Sequence, residues 1–174
     1  DKNLDRLRFV DQIHQGRIMT LASNRGAVER AVATADLVIG AVLVPGGRAP
    51  TVVTEDMVRG MKDRSVIVDV AIDQGGCIET IRETTHEDPV YVDHGVVHYA
   101  VGNIPGAVPH TSTYALTNAT LPYVRDLAVL GPAGAIEHDP ALGHGFNTQG
   151  GAVTHEVVAE SLGRPEEPLS LDAA

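Results

Sequence analysis

Apolar runs alternate with amphipathic segments along the first hundred residues of the chain. Residues 66–72 form an almost continuous β-branched run, which is typical of a strand covered on both faces of a sheet. Residues 36–44 form a second apolar run, and residues 17–21 a shorter one. Two brief valine-rich stretches, 90–92 and 96–101, predict further strands.

Amphipathic segments precede the three main runs, and each begins after a residue that caps helices. Asn3, Asn24 and Thr54 can accept a hydrogen bond from the first turn of a helix, and apolar residues then recur at helical spacing. Helices alternating with strands predict crossover connections and a parallel sheet. A doubly wound sheet begins with a strand, whereas this chain begins with a helical pattern. We therefore expect the first strand and its turn to be absent from the sequence.

The pattern changes after the proline- and glycine-rich stretch 101–109. Residues 110–130 carry apolar positions at helix-like intervals, with Pro122 predicted to kink the helix. A short helix is predicted over residues 139–144. Thr154 is predicted to cap a last helix, 154–162, ended by glycine and proline. The tail, residues 166–174, is predicted to be frayed.

Composition narrows the range of functions. The 174 residues carry a formal net charge of −10, with only 3% aromatic residues and no Trp, so the sequence lacks the basic face and the stacking platforms of nucleic-acid binders. No apolar stretch approaches the roughly 20 residues of a membrane span. One cysteine, Cys77, cannot form an intrachain disulfide. These features predict a globular α/β protein of a reducing compartment, without nucleic-acid or membrane partners.

Candidate chemistry lies in the loops that follow the apolar runs. The loops 42–47, 72–76 and 102–105 all follow predicted strands, and parallel strands bind ligands at their carboxyl edge. Asp73 stands in the second loop, immediately before Gln74 and a glycine pair. On spacing alone, a carboxylate there is better explained as a turn residue than as a ligand-binding group.

Other titratable residues point less clearly to a site. His94 and His98 are four residues apart, but on a predicted strand rather than a helix face, so no metal site is predicted. Cys77 has no identifiable base and is predicted to be a buried, inert thiol. Asp1 could hydrogen-bond a ribose, as acidic residues do after the second strand of dinucleotide folds. On the residues alone, a solvated carboxylate at a helix start is the favoured interpretation of Asp1.

Four blocks of sequence resemble the alanine dehydrogenase/pyridine nucleotide transhydrogenase family. They are ADLVIGAVLVPGGRAP (35–50), DVAIDQGGCIE (69–79), VGNIPGAVP (101–109) and TSTYALTNATLPYV (111–124). The second and fourth blocks favour L-alanine dehydrogenases over the transhydrogenase α subunit. The likeness extends to about Arg164 and is to the carboxyl-terminal portion of the family.

The resemblance implies an α/β fold, a partial Rossmann-type doubly wound parallel sheet followed by helices of a second, substrate domain. Residues 1–109 would be the later part of the NAD-binding domain, without its first strand and glycine-rich turn. Residues 110–174 would be the connecting helix and the carboxyl-terminal part of the substrate domain. The implied activity is NAD-dependent, reversible oxidative deamination of L-alanine to pyruvate and ammonium, in a cytoplasmic hexamer. The alternatives are a catalytically silent fragment that needs a complementary chain, or the NAD-binding module of a transhydrogenase.

The resemblance also assigns roles to individual residues. Asp73 matches the aspartate with an acid-base role, and its catalytic histidine partner would lie before residue 1, as would the substrate-binding lysine and arginine. Gly102 stands where alanine is more usual. The implied NAD contacts are Asp1, Arg6, Ser23, Val42, Leu43, Val70, Ala71, Ile72, Asp73, Arg82, Val101, Gly102, Asn103 and Ile104.

Overall fold

The structure, a computed structural model, describes residues 1–164. These residues form two compact units: Asp1–Leu43 with Ala49–Gly102, and Val44–Arg48 with the chain from Asn103 onward. The predicted tail, residues 166–174, lies outside the described residues. The helices are α1 (Leu4–His14), α2 (Arg25–Thr34), α3 (Glu55–Arg59), α4 (Pro109–His138) and α5 (Glu156–Leu162). The strands are β1 (Leu37–Gly40), β2 (Val66–Asp69), β3 (Val90–Asp93), β4 (Val96–Tyr99), β5 (Thr148–Gln149) and β6 (Ala152–Val153).

The first unit is built on a four-stranded sheet in the order β1-β2-β4-β3. Strands β1, β2 and β4 are parallel, and β3 runs antiparallel to β4. Ile67 of β2 pairs with Val38 on one side and with His98 on the other, so β2 is central. The helix α3 connects β1 to β2, as expected for a crossover unit. The prediction of an α/β, Rossmann-type fold with a parallel sheet is confirmed.

A continuous apolar core joins this sheet to its helices. Ile67, Val58 and Val96 are fully buried. They pack with Val32 of α2 and Met57 of α3, in one cluster of buried side chains. The predicted apolar faces of α2 and α3 therefore supply the helical half of the core. By contrast, α1 contains no buried residue.

The three predicted helix caps are confirmed. The side-chain oxygens of Asn3 and Asn24 accept backbone hydrogen bonds at 3.0 and 2.9 Å, and Thr54 accepts one at 3.4 Å. Each bond satisfies an amide that the first turn of the helix leaves without a partner. Capping residues mark helix starts in sequence because this contact is local.

The predicted strand over residues 17–21 is wrong. This segment forms no ladder with any described strand, and Met19 is among the most exposed apolar side chains of residues 1–164. Its end instead lies beside Asp1, whose backbone nitrogen donates to the carbonyl of Leu21 at 3.3 Å. Apolar β-branched composition gives a strand only where a neighbouring strand supplies the ladder.

Three other predicted strands are shorter than expected. The run 66–72 leaves the sheet at Asp69, because Val70–Gln74 turns into a 3₁₀ helix. The Asp69 side chain caps that helix by accepting from the Ala71 amide at 2.9 Å. Strand β1 covers only residues 37–40 of the run 36–44, and β4 ends at Tyr99 rather than Val101.

The second unit contains the long helix α4, whose break lies at Gly131 rather than at Pro122. Gly131 has φ of 70°, while Pro122 lies within the helical run. A residue before proline is pushed away from helical dihedrals, and Gly131 precedes Pro132. Glycine can move to positive φ without a steric penalty, whereas Leu121 before Pro122 cannot.

The end of the second unit partly follows the sequence. Residues Pro140–Gly145 form a 3₁₀ helix capped by Asp139, close to the predicted 139–144. Helix α5 ends before Gly163 as predicted, but Thr154 does not cap it. The Thr154 hydroxyl donates to the carbonyl of Phe146 at 2.9 Å and is therefore used elsewhere. Within residues 1–164, no helix combines the length and apolar character that crossing a membrane requires.

Candidate functional site

A cavity of about 600 Å³ in the first unit brings together five of the predicted cofactor-binding residues. They are Asp1, Arg6, Ser23, Val42 and Leu43. Polar groups and apolar side chains are thus mixed in one concave surface, as in most small-molecule sites. The cavity is also lined by residues that the sequence interpretation missed: Lys2, Ile39, Ala41, Pro50 and Val52.

Backbone contacts hold Asp1 against Ser23 in this cavity. The Ser23 amide donates to the Asp1 carbonyl at 2.9 Å. The Asn3 amide donates to one Asp1 carboxylate oxygen at 2.9 Å, and Arg6 Nη1 lies 3.6 Å from the other oxygen. The carboxylate is therefore oriented by its own helix start, with an arginine beside it.

Apart from Arg82, the other predicted site residues of the first unit follow the carboxyl ends of the parallel strands. The register pairs Gly40 with Asp69 and Val68 with Tyr99, so β1, β2 and β4 end at the same edge. After β2, Ala71 and Ile72 are buried in the 3₁₀ helix, while Val70 and Asp73 are exposed. After β4, Val101 is buried and Gly102 partly buried.

Asn103 and Ile104 belong to the second unit. Asn103 has φ of 55°, a left-handed conformation that asparagine adopts more readily than most residues. It lines a cavity of about 590 Å³ with Pro105, Ser112 and Leu116 of the same unit. Within that unit, the Ser112 hydroxyl donates to the Pro105 carbonyl at 2.8 Å and ties the loop to the start of α4.

An additional side chain at Gly102 would meet the carboxylate of Glu83. The absence of a side chain at Gly102 thus leaves room for Glu83 beside the predicted cofactor loop. Because Glu83 is exposed and flexible, an alanine would displace only the end of this side chain.

Arg82 is held over the sheet by an aromatic stack. Its guanidinium carbon lies 4.0 Å from the centre of the Tyr91 ring, and that ring stacks on His98 with centroids 4.9 Å apart. The Arg82 amide donates to the Tyr91 hydroxyl at 2.9 Å, and the hydroxyl donates to the Thr80 carbonyl at 2.9 Å. Cation–π contact and hydrogen bonds together orient Arg82, which remains exposed.

His98 is fully buried below this stack. Nδ1 lies 2.9 Å from the Val96 carbonyl and Nε2 lies 2.8 Å from the Thr80 hydroxyl. Burial lowers the pKa of His98 because it disfavours the charged imidazolium. Both ring nitrogens of His98 therefore have partners within the protein.

We expect His98 to make folding stability depend on pH below neutrality. The unfolded chain takes up a proton near pH 6.5, the ordinary imidazole pKa, whereas the folded chain resists protonation to lower pH. The contribution of His98 is therefore complete above about pH 6.5 and is lost as pH falls through the lowered pKa. Urea unfolding between pH 7 and 5 should give a shallower pH slope for His98→Gln than for the wild type.

The matched control is His144→Gln, at an exposed histidine of the second unit. It should leave the slope unchanged. Equal slopes for the wild type and His98→Gln would contradict the assignment.

Asp69 is a buried carboxylate that the sequence interpretation gave no role. Its side chain is 0% exposed and accepts the amides of Ala71 at 2.9 Å and Cys77 at 2.7 Å. The sequence signal for such a role was a charged residue inside a β-branched run. A charge buried there requires hydrogen-bond partners. Cys77 itself is buried as predicted, and burial, followed by the charge of Asp69, raises the pKa of its thiol to about 11. Such a thiol is not a nucleophile at neutral pH.

No group of three or more metal-ligating side chains is found within residues 1–164. The family model "Alanine dehydrogenase/PNT, C-terminal domain" matches residues 1–156. The chain belongs to this family.

Relatives and solved structures agree with that membership. Alanine dehydrogenase of Staphylococcus haemolyticus is 58% identical over 164 residues, 94% of this chain and 44% of that protein. Alanine dehydrogenase of Bacillus subtilis is 57% identical over 164 residues, 94% of this chain and 43% of that protein. The chain thus spans less than half the length of these relatives.

A solved L-alanine dehydrogenase superposes with a TM-score of 0.77 at 50% identity, covering 94% of this chain and 45% of the other. A transhydrogenase from Sinorhizobium meliloti superposes with a TM-score of 0.57 at 26% identity, covering 77% and 36%. The alanine dehydrogenase/PNT family predicted from sequence is confirmed, as is the portion of it that the chain represents.

Proposed function

We propose that this chain is the NAD-binding, carboxyl-terminal part of an L-alanine dehydrogenase, which interconverts L-alanine with pyruvate and ammonium. The observation that carries the proposal is the cavity of the first unit. It combines the Asp1 carboxylate with apolar side chains at the carboxyl edge of a parallel sheet, in a chain of the alanine dehydrogenase/PNT family. The higher identity and TM-score of the alanine dehydrogenase favour this activity over that of a transhydrogenase.

The residues of the cavity suit the adenosine end of NAD. The Asp1 carboxylate can accept hydrogen bonds from ribose hydroxyls, and its charge disfavours the additional 2′-phosphate of NADP. Ser23 offers a hydroxyl beside it, and Val42 and Leu43 offer apolar contact for a purine ring. When bound, NAD supplies the acceptor for the hydride that leaves C2 of alanine.

Asp73 is proposed as the acid-base group of this chain. It is exposed on the 3₁₀ helix Val70–Gln74, directly after the central strand β2. Oxidative deamination consumes water and releases a proton, so a carboxylate at this edge can receive a proton and return it. The resemblance places the histidine partner and the substrate-binding cations outside this chain. The described residues would therefore form one wall of the site.

The domain assignment is part of the proposal. Residues 1–109 would bind NAD, and residues 110–174 would connect to and complete a substrate domain. A homo-hexamer and a cytoplasmic location are proposed from the resemblance alone. The net charge of −10 argues against a nucleic-acid partner.

The decisive experiment completes the protein. The amino-terminal part of the Bacillus subtilis alanine dehydrogenase that the match leaves uncovered is joined directly before Asp1. This completed protein should form NADH from alanine and NAD with saturation in alanine, followed at 340 nm. The 174-residue chain alone should give no turnover. Hydride exchange between nucleotides with indifference to alanine would instead favour the transhydrogenase alternative.

We expect Asp1→Asn in the completed protein to weaken NADH binding by about 10-fold or more. Hydrogen bonds to a charged group contribute about 1.5–3 kcal/mol, and the amide removes that charge. The gap between the Kd values for NADH and NADPH should also narrow, because the like-charge repulsion of the 2′-phosphate is lost. NADH fluorescence titration measures both.

The control for this prediction is Asp5→Asn, which removes an exposed carboxylate from the first turn of α1. It should bind NADH as the wild type does. Unchanged affinity in Asp1→Asn would remove Asp1 from the proposed site.

A further inference from the structure

The carboxylate of Asp69 is enclosed without a cation. Its side chain is 0% exposed, and no ion pair to it is found within residues 1–164. Both oxygens are nevertheless used: Oδ1 accepts the Ala71 amide at 2.9 Å, and Oδ2 accepts the Cys77 amide at 2.7 Å. Charge-assisted bonds from backbone amides are among the stronger hydrogen bonds in proteins. A buried charge needs such partners, so these two hydrogen bonds allow the Asp69 carboxylate to be buried.

The two amides stand at opposite ends of one segment. Ala71 lies in the first turn of the 3₁₀ helix, and Cys77 follows the glycine pair that ends the turn. Between them, the Gly75 amide donates to the Ile72 carbonyl at 2.8 Å and the Gly76 amide to the Ala71 carbonyl at 3.0 Å. Asp73 is carried on this closed segment. The Asp69 side chain therefore bonds to both ends of this segment.

Two glycines make room for the carboxylate. A Cβ at Gly40 on β1 would lie 2.9 Å from Oδ1 of Asp69 and 2.7 Å from Cys77 Sγ. A Cβ at Gly76 would lie 3.1 Å from Oδ2 and would also meet Ile81. A side chain at either position would therefore require Asp69 or its neighbours Cys77 and Ile81 to shift. Both the neighbouring strand β1 and the turn at Gly76 therefore have a glycine where they approach Asp69.

We propose that Asp69 is a positioning residue, whose two oxygens clamp the ends of segment 71–77 and so fix how Asp73 is presented at the sheet edge. It touches neither substrate nor cofactor and acts through Asp73. Its catalytic consequence depends on the proposed function, whereas the clamp itself depends only on the contacts described. Asparagine cannot replace it, because the amide nitrogen would face a backbone N–H that needs an acceptor.

The clamp is tested in the 174-residue chain without any ligand. In the wild type, the Ala71 and Cys77 amides should exchange with solvent as slowly as that of Ile67 in β2. Asp69→Asn should speed their exchange at least 10-fold and should also speed modification of the Cys77 thiol by a disulfide reagent. Asp139→Asn is the matched control: Asp139 also caps a 3₁₀ helix, accepting from Ala141 at 3.0 Å, but this hydrogen bond is exposed to solvent. It should change neither rate at segment 71–77.

Fast amide hydrogen exchange at Ala71 and Cys77 in the wild type would overturn the clamp. This measurement uses the wild type alone and does not require that a variant folds. Unchanged exchange in a folded Asp69→Asn chain would overturn it as well. Cys77→Ala should keep slow exchange at Ala71, because the backbone amide of residue 77 remains.

The positioning role is tested in the completed protein. Asp69→Asn should lower kcat by about 10²-fold, the scale of a 1 Å misplacement, with little change in KM for alanine. A kcat equal to that of the wild type would overturn the role. If the unsubstituted completed protein did not oxidise alanine, the proposed function would fail, and the exchange experiment would still decide the clamp.

Discussion

Asp73→Asn in the completed protein is expected to lower kcat for alanine oxidation by about 10²–10⁴-fold, the usual contribution of a general acid-base group. Asparagine keeps the size of the side chain and its place on the exposed face of the 3₁₀ helix, but it cannot take up a proton. NADH affinity should therefore change little while turnover is lost. Steady-state kinetics and NADH titration on the same preparation separate the two effects.

Asp88→Asn serves as the control, since Asp88 is an exposed aspartate in the irregular loop before β3. It should retain full turnover. If Asp73→Asn kept kcat within a few-fold of the wild type, the acid-base role would have to be assigned to a group outside this chain.

Ile67→Ala is expected to reduce the free energy of unfolding by about 2–5 kcal/mol, the range measured for large-to-small substitutions in cores. Ile67 is 0% exposed at the centre of the sheet, between β1 and β4. The deleted atoms would leave a cavity that strands paired on both sides cannot close. Urea unfolding followed by far-ultraviolet circular dichroism measures the loss.

Ile39→Ala provides the comparison within the same sheet. Ile39 is 61% exposed on the neighbouring strand β1, so its truncation should cost no more than about 0.5 kcal/mol. Equal losses at both positions would mean that the sheet does not have the burial pattern described.

The parts of the fold that depend on local chemistry could be predicted from sequence. Asn3, Asn24 and Thr54 mark helix starts because a capping side chain bonds within its own first turn. The valine-rich stretches around His94 and Gly95 pair as a hairpin for a similarly local reason. Such contacts do not depend on what the rest of the chain does.

The wrong predictions concern segments whose structure depends on a partner distant in sequence or on the backbone conformation of a single residue. Residues 17–21 have strand composition but no ladder within residues 1–164. Helix α4 breaks at Gly131 rather than Pro122, because glycine yields at lower cost than leucine before a proline. Strand β2 ends at Asp69 because its carboxylate captures the following amides, which a hydropathy pattern does not reveal.

The candidate site was predicted unevenly for the same reason. Loops after parallel strands can be located from the alternation of helices and strands along the sequence. This alternation predicted that the site lies at the carboxyl edge of the sheet and that Asp73 lies in one of its loops. The cavity that gathers Asp1, Ser23 and Val42 required the tertiary structure. The individual roles came from the resemblance and stay predictions. For Asp69, the sequence showed only a charged residue within an apolar run and did not indicate the proposed positioning role.

Strand β1 has one further consequence, for the handling of the chain. Among residues 1–164 only β2 pairs with it, and Leu37 and Ile39 are more than half exposed. An open strand edge with apolar side chains is a template on which another chain can add a strand. We therefore expect concentrated solutions of the 174-residue chain to associate through this edge. A polypeptide that supplies the neighbouring strand would pair with β1 during folding and cover this edge before the chains associate. The yield of folded protein would therefore depend on the order of mixing.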